Sequence, residues 1–428
     1  MGGHLDEIRK IREARELAAR RALRGLAYEV GSEGEESNDD ADVPDASEIT
    51  AADERLAAVA MPFGTPKPRF SAQRAQLQSP SKAAPLVAPS FKTVWSSEAA
   101  TPGHPVDNPG DPADVFCVRF APDDELVAAG CGDGVVRVYH GDGGRLAYSL
   151  IDDSLNLPTT CLRFRPSGST SKTKNVLLAA NSDGTVKHWH ITSARCLHTI
   201  TEENNQVYAI DYDVDGAQFA TAGRDCHIRV YDEATKTVVT TLQSSLDRVS
   251  AGYQGETARS GHSNRIFGLR FGTEPHVILS GGWDNTVQLW DVRSSTSSIS
   301  IYGPHVCGDA LDLSGNYILS GSWRPEDQLQ LWDVRTGGLV YTFPWPPSGR
   351  EREPCQVYAA QFSRHDGGKT VVAGGSGANE VRAFSTEGRN AIAALTLPKG
   401  IYGLDISADG RRIATAAGDN AVRVLQMP

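Results

Sequence analysis

The chain has 428 residues, 39% hydrophobic and 22% charged, with 42 glycines, seven cysteines and a formal net charge of −11. No run approaches 18 consecutive apolar residues, which argues against a membrane-spanning helix, and the first thirty residues lack the apolar core of a leader. An odd cysteine count with no Cys-x-x-Cys pair argues against a disulfide framework or zinc ribbon, and for reduced thiols inside a cell.

Residues 1–30 are read as an N-terminal amphipathic helix over Leu5–Tyr28. Leu5, Ile8, Ile11, Leu17, Leu23 and Leu26 recur at near-helical spacing, with arginines between them. This helix, 5–28, is expected to dock its apolar stripe into a partner's groove. Residues 31–90 are read as an acidic, Pro-rich, disordered linker. Its first thirty residues hold ten acids against Arg55, a net of −9, and prolines follow at 62, 66, 68, 80, 85 and 89. Such a run buries too little apolar surface to offset the entropy of ordering. Over residues 115–428 the net charge is only −5. An acidic chain without a basic stripe predicts no nucleic-acid partner.

From about residue 112 the chain repeats itself. A six-residue opening strand ends at Phe120, Phe164, Tyr212, Phe271, Leu313, Phe362 and Ile406, at spacings of 42 to 59 residues. A third strand follows a turn aspartate in five units: Asp133, Asp183, Asp225, Asp284 and Asp419. Its interior polar position is Arg137, Lys187, Arg229, Gln288, Gln330, Arg382 or Arg423, between apolar neighbours. Period-two alternation of this kind predicts strands with one apolar face.

Leu289-Trp290-Asp291, Leu331-Trp332-Asp333 and Gly261-His262 make the repeat resemble the WD-repeat (WD40) family. That resemblance implies an all-β, seven-bladed β-propeller over residues 91–428, with four strands per blade. It further implies a structural hydrogen-bond set of His262, Ser280, Asp284 and Trp290, approximated in the fifth blade by His305, Ser320, Glu326 and Trp332. The last unit ends after its third strand, so Phe91–Trp95 is expected to supply the missing outer strand of blade seven and remove an exposed edge.

The sequence carries no phosphate loop, no His-Glu-x-x-His and no nucleophile elbow, and His188-Trp189-His190 has no third ligand. Catalytic residues, a metal and cofactors are therefore not expected. The informative positions are the second residues of the opening strands, aromatic in five units: Phe116, Tyr208, Phe267, Tyr358 and Tyr402, with Thr160 and Asp309 as exceptions. In a propeller these open onto the top of the central channel. Arg224 and Trp283, in the turns before the third strands, belong to the same face. Aromatic and arginine side chains are enriched at interface hot spots, and such rings suit a partner's Arg or Lys.

These residues point to a non-catalytic protein-interaction scaffold with several protein partners, intracellular and cytoplasmic, without membrane insertion. The family resemblance adds a cytoskeletal or ciliary setting as an expectation. The alternatives are a peptide reader or substrate receptor of a ubiquitin-ligase or chromatin complex, and an enzyme with propeller architecture.

Overall fold

A computed structural model describes residues 89–97, 114–152, 157–168, 175–244, 261–346 and 353–428. The helix expected over 5–28, the linker up to residue 88, and most of the long connections over 243–261 and 344–356 lie outside these ranges.

Strand pairing follows from the alternation in the sequence. In the third strand of the first blade, Val136–His140, Val136 and Val138 are buried while Arg137 between them is half-exposed. The second strands are buried on both faces, and they read as continuous small apolar runs: Leu126–Cys131, Val176–Asn181 and Arg412–Ala417. Small residues are required there because neighbouring blades converge near the axis. A Cβ on Gly130 would stand 2.5 Å from the Cys117 sulfur and 2.7 Å from the Thr159 side chain of the next blade.

Among the described residues these strands form seven four-stranded antiparallel sheets. The opening strands are Val115–Phe120, Thr159–Phe164, Val207–Tyr212, Ile266–Phe271, Leu311–Ser314, Cys355–Phe362 and Ile401–Ile406. Each packs beside the next, and the last packs beside the first, so the sheets close into a ring. Apolar clusters fill the seams: Ala209, Ile228 and Leu242 of blade three meet Ile266, Leu269 and Trp290 of blade four. The described residues therefore form an all-β, seven-bladed propeller. Among the described residues no helix is long and apolar enough to cross a membrane.

The outer strand of blade seven is Lys92–Ser96, paired antiparallel with Val422–Gln426. It joins three blades. Phe91 is buried in the seam between blades six and seven, and Ser90 bridges Ala394 of blade six. Trp95 lies in the seam with blade one, where its indole N–H donates to the Gly141 carbonyl at 2.8 Å. Gly144 makes room for that ring: it sits at φ +66°, and a Cβ there would lie 2.4 Å from the indole.

Candidate functional site

The top face is the one where the opening strands begin and the turns between second and third strands lie. Six opening strands carry a β-bulge near their start, at Phe116, Thr160, Tyr208, Phe267, Tyr358 and Tyr402. A bulge places an extra residue outside the ladder and re-aims its side chain. Five of these six bulged residues are aromatic. Blade five has no bulge, because Asp309 precedes its strand, which starts at Leu311.

The rings form two arcs rather than one open collar. Tyr208 stacks on Phe267 (4.5 Å between centroids, 12° between planes), Phe267 on Trp283 (5.1 Å, 28°), and Trp283 on His305 of blade five (6.2 Å, 16°). On the other side Phe116 stacks on Tyr402 at 5.8 Å, Tyr402 meets Tyr358 edge-on at 5.6 Å, and Tyr358 lies 6.4 Å from Trp323. Thr160 interrupts the series at blade two, its hydroxyl donating to the Val207 carbonyl at 2.6 Å.

This geometry changes what the mouth offers. In the arc over blades three to five the ring faces are occupied by one another, and the Arg265 guanidinium already lies over Trp283 at 5.0 Å. Ring faces for an incoming cation, expected from the sequence, are taken there. Phe267 is only 7% exposed and serves packing. Arg224 is exposed at the rim, beside a polar groove formed with Ser182, Asn204, Asn205, Gln206 and Asp225 between blades two and three.

Beneath the top surface each turn aspartate accepts the backbone N–H two residues on, for example Asp133 from Val135 at 3.1 Å and Asp284 from Thr286 at 3.1 Å. What holds the other oxygen depends on the blade. In blades one, three and seven it is the strand arginine four residues on: Arg137 to Asp133 at 2.6 Å, Arg229 to Asp225 at 2.5 Å and Arg423 to Asp419 at 2.5 Å. In blade four, where that position is Gln288, His262 takes the role. Trp290 donates to Ser280 at 2.8 Å, Ser280 bonds His262 Nε2 at 2.7 Å, and His262 Nδ1 bonds Asp284 at 2.7 Å. Burial pushes the Asp284 carboxyl up, but the bonds from His262, Thr286 and Ser263 outweigh it and hold it below the usual range.

Blade five departs from the expected copy. Trp332 does donate to Ser320 at 2.8 Å, but His305 bonds Asn285 of blade four at 2.8 Å and joins the top surface, while Glu326 is exposed. Blade three builds another variant on Glu202, which accepts from Tyr231 at 2.9 Å, Arg229 at 2.9 Å and Asn205 at 2.7 Å. Trp345 is buried against Phe384 and Arg382, away from the mouth.

The central channel holds a feature that the sequence reading missed. The residues just before Phe120, Phe164, Tyr212, Phe271, Leu313, Phe362 and Ile406 are Arg119, Arg163, Asp211, Arg270, Asp312, Gln361 and Asp405. Three arginines converge on the Asp309 carboxylate: Arg163 at 3.1 Å, Arg270 at 2.9 Å, and Arg119 in direct contact. The acceptors at this position also take a backbone N–H from the next blade: Asp211 from Phe271 and Asp312 from Phe362, both at 2.8 Å, Gln361 from Ile406 at 3.2 Å, and Asp405 from Phe120 at 2.7 Å. Burial pushes the Asp211, Asp312 and Asp405 carboxyls up, against the pull of the arginines. The signal was present as charge recurring at one strand position, with Asp309 breaking the aromatic series.

His188 and His190 point to different environments. His188 is 1% exposed, bonded to Glu233 at 3.2 Å, while His190 bonds Ser193 at 2.7 Å at the surface. Among the described residues no group of three or more His, Cys, Asp or Glu side chains is arranged to hold a metal. All seven cysteines are free. Burial pushes the thiols of Cys307 and Cys355 up to about 12, so they stay protonated.

Comparison with known proteins matches the family model "WD domain, G-beta repeat" at residues 100–140, 194–232, 255–291 and 392–425. These matches end in blades one, three, four and seven, the blades whose turn aspartate is held by arginine or histidine. The chain is 26% identical over 233 residues to periodic tryptophan protein 2 of Arabidopsis thaliana, covering 54% of this chain and 23% of that protein. It is 23% identical to nuclear distribution protein nudF of Aspergillus niger, covering 50% and 53%. It is also 23% identical to the APC/C activator protein CDC20 of Saccharomyces cerevisiae, covering 59% and 46%. The chain spans about half the length, or less, of the curated relatives it matches. Four matched repeats within a ring of seven four-stranded blades place the chain in the WD-repeat family of β-propellers.

Proposed function

We propose that the chain is a non-catalytic scaffold that joins proteins within a larger assembly, with the top mouth as its main partner surface. One observation carries the reading: five bulges aim aromatic side chains at a single mouth, beside arginines at its rim. Aromatic and arginine anchors dominate interface energetics, and a rigid ring presents them with little ordering cost. The proposal is non-catalytic for a positive reason. The Ser280 hydroxyl is fully buried between Trp290 and His262, where no substrate reaches it.

Relatives' names support protein association more than any one process. They speak of nuclear distribution, ribosome biogenesis, APC/C activation and pre-mRNA processing. No residue of the chain selects a cytoskeletal or ciliary setting among these. A peptide reader or substrate receptor is the second reading. It is favoured by the groove between blades two and three, where exposed Asn204 and half-buried Gln206 offer amides to an extended backbone.

The test is affinity capture with Tyr208→Ala and Tyr402→Ala, one half-buried ring from each arc, against Glu387→Ala on the bottom face. The proposal expects the paired tyrosine variant to lose captured proteins while its melting curve stays that of a folded ring. Loss with the bottom-face variant instead would overturn it.

A further inference from the structure

Arginine in this propeller is mostly consumed by carboxylates. Arg119, Arg163 and Arg270 are tied into the channel, and Arg137, Arg229, Arg382 and Arg423 are tied to acids of their own blades. On the top face three arginines differ. Arg224 is exposed, Arg265 lies over Trp283, and Arg324 donates only to the Asn285 amide oxygen at 2.8 Å. None of the three forms an ion pair among the described residues.

They sit in adjacent blades along one arc. Arg224 and Arg265 both act on the Tyr208 hydroxyl, whose pKa burial raises and these two cations lower. Arg265 covers Trp283, Trp283 stacks on His305, and burial together with Arg324 lowers the His305 pKa. The three cations therefore flank the continuous stack of Tyr208, Phe267, Trp283 and His305. Because those rings spend their faces on one another, the three guanidiniums are the groups left for a ligand to meet.

We propose that the top face over blades three to five takes an acidic peptide segment, whose carboxylates pair with Arg224, Arg265 and Arg324 across the stacked rings. This rests on the reading of the top mouth as a partner surface and names its partner's chemistry. Two observations favour a peptide over a nucleic acid. The patch is short, bounded by exposed Glu203 at blade three and by Glu326 and Asp327 at blade five. The net charge over residues 115–428 is −5, which opposes a long polyanion running beyond the patch more than a short acidic segment seated on three arginines. The guanidinium forks match carboxylates bidentately, and three of them outweigh one rim contact.

The experiment is fluorescence anisotropy on the full chain with a short fluorescein-labelled oligoglutamate peptide. Oligolysine, phosphoserine peptide and single-stranded oligonucleotide probes of equal length serve as comparison arms. The expected result is binding of oligoglutamate that weakens with salt and falls at least about tenfold in the Arg224→Gln, Arg265→Gln, Arg324→Gln triple variant, with an unchanged melting temperature. Preference for oligolysine, tighter binding of the phosphopeptide or the oligonucleotide, or equal binding by the triple variant would each overturn the inference. Should the triple variant melt early, Arg224→Gln alone, on an exposed side chain, must still weaken oligoglutamate binding. The two readings separate cleanly: if the triple variant keeps every captured protein that the paired tyrosine variant loses, the mouth stands and its acidic partner falls.

Discussion

Trp290 shows how one side chain commits a blade. It is 1% exposed, fills the seam between blades three and four, and starts the hydrogen-bond chain through Ser280 and His262 to Asp284. Trp290→Ala is expected to cost about 3–5 kcal/mol, the sum of a large cavity and a buried hydroxyl left without its donor. Thermal melts against exposed Arg411→Ala would measure it, and an equal shift in both would disprove the role. Lys236 looks like an equally neutral control from sequence, but it pairs with buried Glu233 at 2.6 Å. His188, in the same cluster, is held neutral. Burial, then the neighbouring Lys236, His198 and Arg165, lowers its pKa to about 2. An unfolded chain takes up that proton below about 6.5, so the folded state loses stability as pH falls through and below 6.5. His188→Gln is expected to flatten the fall in melting temperature between pH 7 and pH 5 relative to the parent. Parallel profiles would show that His188 does not titrate in this way.

At the scale of the element, the two interchangeable ways of holding a turn aspartate were half visible in the sequence. The strand arginines at 137, 229 and 423 could be read as the polar positions of an alternating pattern. Their pairing with aspartate four residues earlier emerges only when the turn folds back. Aromatics at the second strand position were equally legible, but the bulges that aim them, and the stacking that uses up their faces, depend on neighbouring blades. His305 was misassigned for the same reason: its partner Asn285 lies in another blade. The outer strand Lys92–Ser96 carries a prediction of its own. Deleting residues 1–88 is expected to leave a folded ring. Deleting 1–97 removes Phe91 and Trp95 from two seams and exposes the edge at Val422–Gln426. Circular dichroism melts of the two truncations decide it, and coincident transitions would mean the strand does not hold the ring shut.

For the whole molecule, the channel is where sequence reading stopped furthest short. The repeat announced seven blades because each blade repeats locally. The ionic plug does not repeat: Arg163 and Asp309 are 146 residues apart, and arginines from blades one, two and four meet one aspartate from blade five. Such a plug ties blades across the axis, because removing one partner of a buried pair leaves a costly uncompensated charge. A ring stiffened at its axis and along its seams leaves the rim of the top face as the place where chemistry is unspent. The direct measurement is site-specific photo-cross-linking of the assembled complex. One probe replaces exposed Asn264 on the top rim, and another replaces exposed Glu387 on the bottom. The probe at 264 is expected to trap a partner protein and the probe at 387 is not; trapping from 387 alone would contradict a top-face partner surface.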